Sequence, residues 1–295
     1  MIDKKSKIIT GCIVNTILVL TGLFCLLPLI LVVAVSFSSM DSILTSGYSF
    51  IPKTFTLKAY SYLFTEARGI FQGYLISIST SLLGGVLSTL ITAMVAYPIS
   101  RSDYKFSGKV TFYIFFTMLF NGGLVPWYML ISNYLKLKDT FWVLILPYVV
   151  LGWNVMLMRT FFKSVPVEVT EAAEVDGANV YRVFFQIVLP MSKPALATIG
   201  LLSLLRYWND WWLALLFIEN EMLVPLQYLL YRMMSNIEEL LNQSTTVGTM
   251  VDINDFPTEP ARMAMAVVAA GPMLFLFPFF QKYFVRGMTV GAVKG

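Results

Sequence analysis

The side chains of this 295-residue chain that could do chemistry fall into two groups. The first lies in an acidic, helix-prone segment that contains Glu171–Gly177 and ends at Pro190. The second is Arg206-Tyr207-Trp208-Asn209-Asp210-Trp211-Trp212, where an arginine and an aspartate lie beside indole rings. Because the chain has no histidine, it can form neither a Ser-His-Asp triad nor an imidazole-based zinc site. We therefore predict no catalytic residues and no metal site, and expect recognition of ligands or partners.

The composition favours a membrane protein over a soluble domain. The chain is 57% hydrophobic and 13% charged, with a mean hydropathy of +0.73. A net charge of +4 does not indicate nucleic-acid binding, since the basic residues are spread over short connections. Cys12 and Cys25 are about 20 Å apart along a helix, so they cannot pair with each other.

Apolar runs predict an all-α, polytopic membrane protein in a single domain, residues 1–295, with six transmembrane helices. The third run contains Asn121-Gly122-Gly123 and Pro126, which predict a kink. The predicted spans are about Ile8–Phe37, Ile70–Ile99, Val110–Ile131, Thr140–Phe162, Pro194–Phe217 and Met263–Phe284.

The distribution of basic residues predicts the orientation. Most of the 21 Lys and Arg residues lie near the N-terminus, in 101–109, in 159–193 and near the C-terminus. By the positive-inside rule these parts face the cytoplasm, including both termini. The acidic stretch 219–262 then faces outward, as a docking surface, a plug or a solvated connection.

The acidic segment is predicted to form two short helices. Pro166 suits a helix start, and Gly177 can take the left-handed conformation that ends a helix. A second helix over Asn179–Leu189 should end before Pro190. On the residues alone, the segment could equally be an amphipathic connector lying on the membrane.

A family resemblance rests on this segment. Glu171-Ala172-Ala173, Gly177 four positions later and the pair Leu189-Pro190 resemble the EAA signature of permease subunits of ABC importers. The six spans, the outer stretch before the last span and the ending Gly287–Gly295 are similar to the carbohydrate branch, the maltose-type permeases. The chain is identified on these grounds as a member of that family, with the type I importer permease fold.

The resemblance implies roles for several segments. A core of about residues 70–285 would carry cytoplasmic coupling helices at 164–190, an extracytoplasmic loop at 219–262 and a cytoplasmic tail at 286–295. The tail would reach the interface of an ATPase dimer, although a frayed terminus is the alternative. The residues implied in ATPase coupling are Glu171, Ala172, Ala173, Asp176, Gly177, Leu189 and Pro190, and those in the tail are Gly287, Gly291, Lys294 and Gly295.

The arginine-tryptophan run predicts a polar site within the fifth span. Arg206 should lie near the middle of the membrane and pair with Asp210, one turn away on the same helix face. Sugars pack on indole rings and hydrogen-bond to amides and charges, so the run could line a translocation path. Interfacial tryptophan anchors and structural pairing between helices are the alternatives. The candidate path residues are Arg206, Trp208, Asn209, Asp210, Trp212, Asn121 and Asn154.

An energy source must come from another chain. The nearest fragment to a phosphate-binding loop, Ser107-Gly108-Lys109-Val110, lacks the first glycine at the right distance and the following Ser or Thr. We therefore expect no cofactor in this chain, with ATP and Mg²⁺ bound by a partner ATPase. The resemblance implies a sibling permease, two ATPase subunits and an extracytoplasmic solute-binding protein as partners, and a sugar, specifically an oligosaccharide, as substrate. A non-sugar solute or a secondary carrier remains the alternative.

Overall fold

The computed structural model describes residues 4–66, 69–247 and 258–292, and these residues are mostly helical. In the part of the chain so described, the extended pairing consists of one isolated bridge between Ser38 and Phe55. The first seven helices are α1 (Lys4–Ser36), α2 (Met40–Ser46), α3 (Lys58–Glu66), α4 (Ile70–Ser100), α5 (Ser107–Leu119), α6 (Leu124–Met129) and α7 (Gly152–Phe162). The remaining helices are α8 (Val167–Val175), α9 (Val180–Val183), α10 (Leu189–Met191), α11 (Lys193–Trp208), α12 (Trp212–Phe217), α13 (Leu226–Val247) and α14 (Thr258–Ala292).

Among the described residues, three helices are long and apolar enough to cross a membrane, and three bent helix pairs could each form one more span. The long ones are α1, α4 and α14, which agree with the first, second and sixth predicted spans. Six spans are reached when each bent pair counts as one, and the first two pairs fall on the third and fourth predicted spans. The last pair joins Lys193–Trp208, which lies in the fifth predicted span, to Val180–Met191, which lies mostly in the segment predicted as cytoplasmic. The all-α class with six spans therefore agrees with the sequence prediction.

The third predicted span is broken rather than kinked. Helix α5 and the segment 124–134 meet at 113° across residues 120–123. Gly123 adopts φ +90°, a conformation that strains other residues, and Asn121 accepts its backbone N–H through the side-chain oxygen at 2.9 Å. The asparagine and the glycine together fix a turn here, which is why the bend exceeds a kink.

The fourth and fifth predicted spans are also interrupted. The fourth begins with two short 3-10 turns, Phe141–Leu144 and Leu146–Tyr148, before α7, and the two parts meet at 51°. Pro147 lies in the second turn, where its missing N–H costs no regular helix bond. The predicted fifth span is divided between α11 and α12, which leaves its polar residues in the break between two helices.

The outer stretch 219–262 differs from the predicted loop, because much of it is the 22-residue helix α13. Leu226, Leu230 and Ile237 are buried at spacings of four and seven residues, which places them on one helix face. Glu238 and Glu239 lie on the exposed side. An amphipathic helix can therefore form despite the polar composition that suggested a loop.

The described residues separate into two compact units, 1–70 with 232–272 and 71–231 with 273–295. In the first unit, Phe37 stacks on Phe55 with ring centroids 5.2 Å apart. The second unit contains two buried apolar clusters, one that includes Ile145, Leu213 and Phe217 and one that includes Tyr97, Phe184 and Ile199. The two candidate sites described below both lie in the second unit.

Candidate functional site

The segment 164–190 folds into two helices that meet at Gly177, as the sequence predicts. Helix α8 begins directly after Pro166, which caps it, and Glu168 lies in the first turn, where a carboxylate favours the positive end of the helix. Gly177 has φ +81° and follows the last helical residues. The segment is thus a helix, a sharp left-handed exit and a second helix.

Backbone hydrogen bonds define the exit from α8. The N–H of Ala178 donates to the carbonyl of Ala173 at 2.9 Å, and the N–H of Gly177 donates to that of Glu174 at 3.0 Å. This pair of bonds is the Schellman arrangement, in which a left-handed residue satisfies the last carbonyls of a helix. A side-chain carbon added at Gly177 would meet nothing within 4 Å, so the need for glycine there is conformational and not steric.

The second helix ends later than the sequence prediction. Asn179 caps α9 by accepting the N–H of Arg182 at 2.8 Å. The chain then continues through a π-helical turn, Phe184–Val188, into α10, which includes Pro190 and ends at Met191. The prediction that the helix stops before Pro190 is therefore wrong. A wider turn before a proline relieves both the clash of its ring and the loss of its N–H.

The predicted coupling residues do not all face the same way. Ala173 is only 8% exposed and belongs to the buried cluster with Tyr97 and Phe184. Ala172 is exposed. Neighbouring helix residues point about 100° apart, so the two alanines cannot both belong to one outer surface. Of the other predicted residues, Glu171, Asp176, Gly177 and Pro190 are exposed and Leu189 is partly buried.

Large apolar side chains surround this exposed acidic face. Val175 is 88% exposed and Tyr181 is 73% exposed, and Val180 and Phe185 are also exposed. They lie on both sides of Gly177 within one short stretch. A cluster of exposed apolar groups rimmed by charges is typical of a protein-binding surface. We call these four residues the coupling surface.

Arg101 ties α8 to the end of α4. Its guanidinium forms two bonds to Asp103, at 2.6 and 2.8 Å, and a third to Glu174 at 2.8 Å. The same group donates to the hydroxyl of Tyr97. Hydrogen bonding from Arg101 holds the pKa of Asp103 below its usual value. The guanidinium therefore connects α8 to the end of α4, through two residues that are 73 positions apart in sequence.

The predicted Arg206–Asp210 pair within one helix does not form. Helix α11 ends at Trp208 and Asn209 caps it, so Asp210 has left the helix and no longer lies one turn above Arg206. The Asp210 carboxylate accepts the N–H of Leu213 at 3.1 Å instead. Arg206 forms no ion pair with any carboxylate whose side chain the structure describes, and it lies in the last turn of α11, just before the break in the fifth predicted span.

The break after α11 opens a cavity of about 270 Å³. The Arg206 guanidinium lies over the ring of Tyr148, 4.2 Å from its centroid, which is a close cation–π contact. Trp211 packs on Tyr231 with ring centroids 4.5 Å apart, while Trp212 remains partly exposed. The residues that line the cavity are Tyr148, Arg206, Asn209, Asp210, Trp211 and Trp212. Four of the predicted path residues are therefore brought together.

The other three predicted path residues lie elsewhere. Trp208 is 2% exposed, so its indole packs in the interior and does not line the cavity. Asn154 is buried and donates its amide to Ser203 at 3.4 Å, and Ser203 in turn contacts Ser88 at 3.3 Å. This chain of polar contacts joins α7, α11 and α4. Asn121 serves the turn between α5 and α6.

The tail and the acidic outer residues are only partly described. Gly287 and Gly291 lie in α14, which continues to Ala292, whereas Lys294 and Gly295 lie outside the described residues. In the outer stretch, Arg262 forms ion pairs with Glu238 at 3.5 Å and with Glu259 at 3.3 Å. Asp252 and Asp255, which belong to the acidic stretch 219–262, also lie outside the described residues.

Sequence reasoning missed two residues that organise these sites. Tyr148 supplies the ring beneath Arg206, and Arg101 anchors α8. The only signal for Arg101 was its place directly after a predicted span, and Tyr148 had none beyond the adjacent proline. Both contacts join residues more than 50 positions apart, which no local pattern records.

Comparison with known proteins identifies what the chain is similar to. A family model described as a binding-protein-dependent transport system inner membrane component matches residues 69–290. The polygalacturonan/rhamnogalacturonan transport system permease protein YtcP of Bacillus subtilis (strain 168) is 34% identical over 278 residues, which cover 94% of this chain and 96% of that protein. The arabinooligosaccharides transport system permease protein AraQ of Halalkalibacterium halodurans is 31% identical over 275 residues, 91% of each chain.

A solved structure agrees with the fold. A chain in the crystal structure of a bacterial ABC transporter involved in the import of the acidic polysaccharide alginate superposes with a TM-score of 0.78 at 28% identity. The match covers 96% of this chain and 99% of that one.

Proposed function

The chain belongs to the family of binding-protein-dependent transport system inner membrane components, and from that premise we propose that it is one of two permease subunits of an ATP-driven importer for an oligosaccharide. As members of this family are transporter permeases located in the membrane, the chain is a multi-pass membrane protein and a transporter subunit. The sugar is supported by the relatives, which carry polysaccharides and oligosaccharides according to their names. The observation that carries the proposal is the segment 164–190, with its helix, left-handed Gly177 and exposed coupling surface.

In this proposal, ATP and Mg²⁺ are bound by the ATPase partners. The coupling surface offers Val175, Val180, Tyr181 and Phe185 to a groove on an ATPase, with Glu171 and Asp176 beside them to pair with basic groups. Apolar contact at the centre and charges at the rim are the arrangement of a specific interface. The chain itself contributes binding and movement, and the hydrolysis occurs on the partner.

Movement of α8 would reach the spans through two contacts. Ala173 packs in the buried cluster with Tyr97 of α4, and Arg101 holds Glu174. Because packed clusters shift as units and do not deform continuously, a displaced α8 carries the end of α4 with it. Alternating access would follow, driven by the difference in nucleotide binding between two states of the ATPase.

The remaining partners are a sibling permease and an extracytoplasmic binding protein. The acidic outer face of α13, with Glu238 and Glu239, suits a docking surface for a partner with basic groups. Gly287, Gly291, Lys294 and Gly295 are proposed as a second contact with the ATPases.

The test replaces one exposed side chain of the coupling surface. In the purified complex, Tyr181→Ser should lower both the ATPase retained on the permease and the sugar-stimulated hydrolysis of ATP, by about tenfold or more for a central aromatic contact. Tyr134→Ser is the matched control, because Tyr134 is similarly exposed but lies just after the third predicted span, far along the chain from the coupling surface.

Two results would contradict the proposal. One is normal ATPase retention and coupling in Tyr181→Ser. The other is sugar uptake that persists in vesicles without ATP and follows an ion gradient, which would make the protein a secondary carrier.

A further inference from the structure

The cavity at the end of α11 presents a positive charge that is unusual for an apolar span. Arg206 is exposed, and it forms no ion pair with a carboxylate among the side chains that the structure describes. Charged groups in membrane-spanning segments are costly unless they meet a partner or water, so they mark ligand paths. The Tyr148 ring beneath the guanidinium fixes its position without neutralising its charge.

The nearby Asp210 carboxylate interacts electrostatically with Arg206 and bonds to the Tyr148 hydroxyl, but it forms no ion pair with the guanidinium. Asp210 accepts the N–H of Leu213, and this contact directs its oxygen toward the start of α12. The Asn209 amide donates to the carbonyl of Leu205 at 2.8 Å, so it is held against α11. The guanidinium is therefore the cationic group of the cavity and keeps donors available for a ligand.

Both the size and the walls of the cavity suit a sugar. Its volume of about 270 Å³ is close to the lower end of small-molecule sites, about 300 Å³. The exposed part of Trp212 offers an aromatic face, and Asn209 offers a carbonyl oxygen. A guanidinium binds a carboxylate through two parallel bonds, which a neutral sugar cannot reproduce.

From this geometry we propose that the substrate is an acidic oligosaccharide, one that contains uronic acid residues, and that Arg206 binds its carboxylate during passage. The inference rests on the proposed function. The relatives alone do not decide the point, since they include transporters named for a polygalacturonan and for arabinooligosaccharides, which differ in charge. Arg206 is the feature of this chain that favours the acidic class.

The experiment compares a charged sugar with a neutral one of nearly the same shape. The complete importer, with its ATPases and binding protein, is reconstituted in liposomes, and ATP-dependent uptake of trigalacturonate and of its methyl ester is measured. The ratio of acid to ester uptake is followed, because effects on assembly or on coupling cancel in that ratio. Arg206→Gln should lower it by roughly 10- to 100-fold, the range expected for a charge-assisted bond. Arg206→Lys keeps the charge but not the paired geometry, so it should lower the ratio less.

A second variant keeps the test valid if Arg206→Gln does not assemble. Asn209→Asp adds a negative charge to the same cavity with almost no change of shape, and it should also lower the ratio. The control is Lys105→Gln, which removes an exposed positive charge from the connection after α4 and should leave the ratio unchanged.

Three results would overturn the inference. Equal losses of acid and ester uptake in Arg206→Gln would give the arginine a structural role only. An unchanged ratio in both cavity variants would remove the cavity from the path of the charged group. Uptake of the ester or of neutral galactotriose without uptake of trigalacturonate would make the substrate neutral, and would leave the proposed function standing. The ATPase experiment on Tyr181 tests that function separately.

Discussion

Replacing Gly177 should loosen the coupling segment for a purely conformational reason. The residue has φ +81°, and a side-chain carbon placed there would meet nothing within 4 Å. An L-residue in this left-handed conformation costs about 1–2 kcal/mol, and asparagine costs less because its side chain can bond locally. We expect the order of stability glycine, then asparagine, then alanine.

A matched control separates this effect from a general effect of glycine replacement. Gly108 lies in the first turns of α5, also with nothing within 4 Å of an added carbon and without a positive φ. Gly108→Ala should be neutral or stabilising by up to about 1 kcal/mol, because alanine is the better helix former. Gly177→Ala should therefore lower the free energy of unfolding, and Gly108→Ala should leave it unchanged or raise it, so that the two variants differ by about 2 kcal/mol.

The assay is thermal unfolding of the purified complex together with sugar-stimulated ATP hydrolysis. Gly177→Ala should unfold a few degrees lower than the wild type and couple hydrolysis to sugar less well, and Gly177→Asn should recover part of both. Equal behaviour of the alanine and asparagine variants would refute the reasoning, since it would show that backbone conformation does not limit the segment. Normal coupling in both would also separate Gly177 from ATPase docking.

Three further predictions concern contacts that only the fold reveals. In a double-mutant cycle, Arg101→Gln and Glu174→Gln should show a coupling energy of about 0.5–1 kcal/mol, because the pair is partly exposed, and additive effects on thermal unfolding would contradict it. Gly84→Ala should destabilise the complex by about 1–3 kcal/mol, since the added carbon would lie 2.6 Å from a buried tyrosine ring, whereas Gly200→Ala, with its nearest atom at 3.5 Å, should be tolerated. Backbone N–H groups of residues 219 and 220 lower the pKa of Asp139, so its contribution to stability is complete above about pH 4 and is lost as the pH falls through the lowered value. Asp139→Asn should flatten that part of the curve of unfolding temperature against pH, and an unchanged curve would refute the assignment.

The sequence by itself determined the features that depend on neighbouring residues. Apolar runs of sufficient length predicted the spans, because in lipid the backbone N–H and C=O groups must form their hydrogen bonds within the segment itself, as a helix does. Gly177 and Pro166 predicted where α8 starts and stops, because caps and left-handed exits are set by local backbone preference. The EAA resemblance is also visible in the sequence, because its residues lie within one short stretch of the chain.

Predictions from local sequence patterns were wrong where a helix ends at a different residue from the one that the pattern indicated. The Arg206–Asp210 pair was predicted from a spacing of four, which holds only while the helix continues, and α11 stops at Trp208. Pro190 was expected to end a helix, yet a π turn carries the chain past it. The polar stretch before the last span was expected as a loop, although its buried residues share one face of α13.

Only the tertiary structure decided which side chains meet across the chain. Arg101 forms an ion pair with Glu174, and the Arg206 guanidinium lies over the Tyr148 ring. Asn154 takes part in polar contacts that join three helices, and it does not line the cavity. Each of these contacts spans about 50 residues or more, and its geometry depends on how helices cross and where they break. The sequence therefore determined that the chain is a permease with two short helices that meet at Gly177. The fold decided that Arg206 forms no ion pair with any of the described carboxylates, because helix ends and crossings, not residue spacing, set the distances between charges.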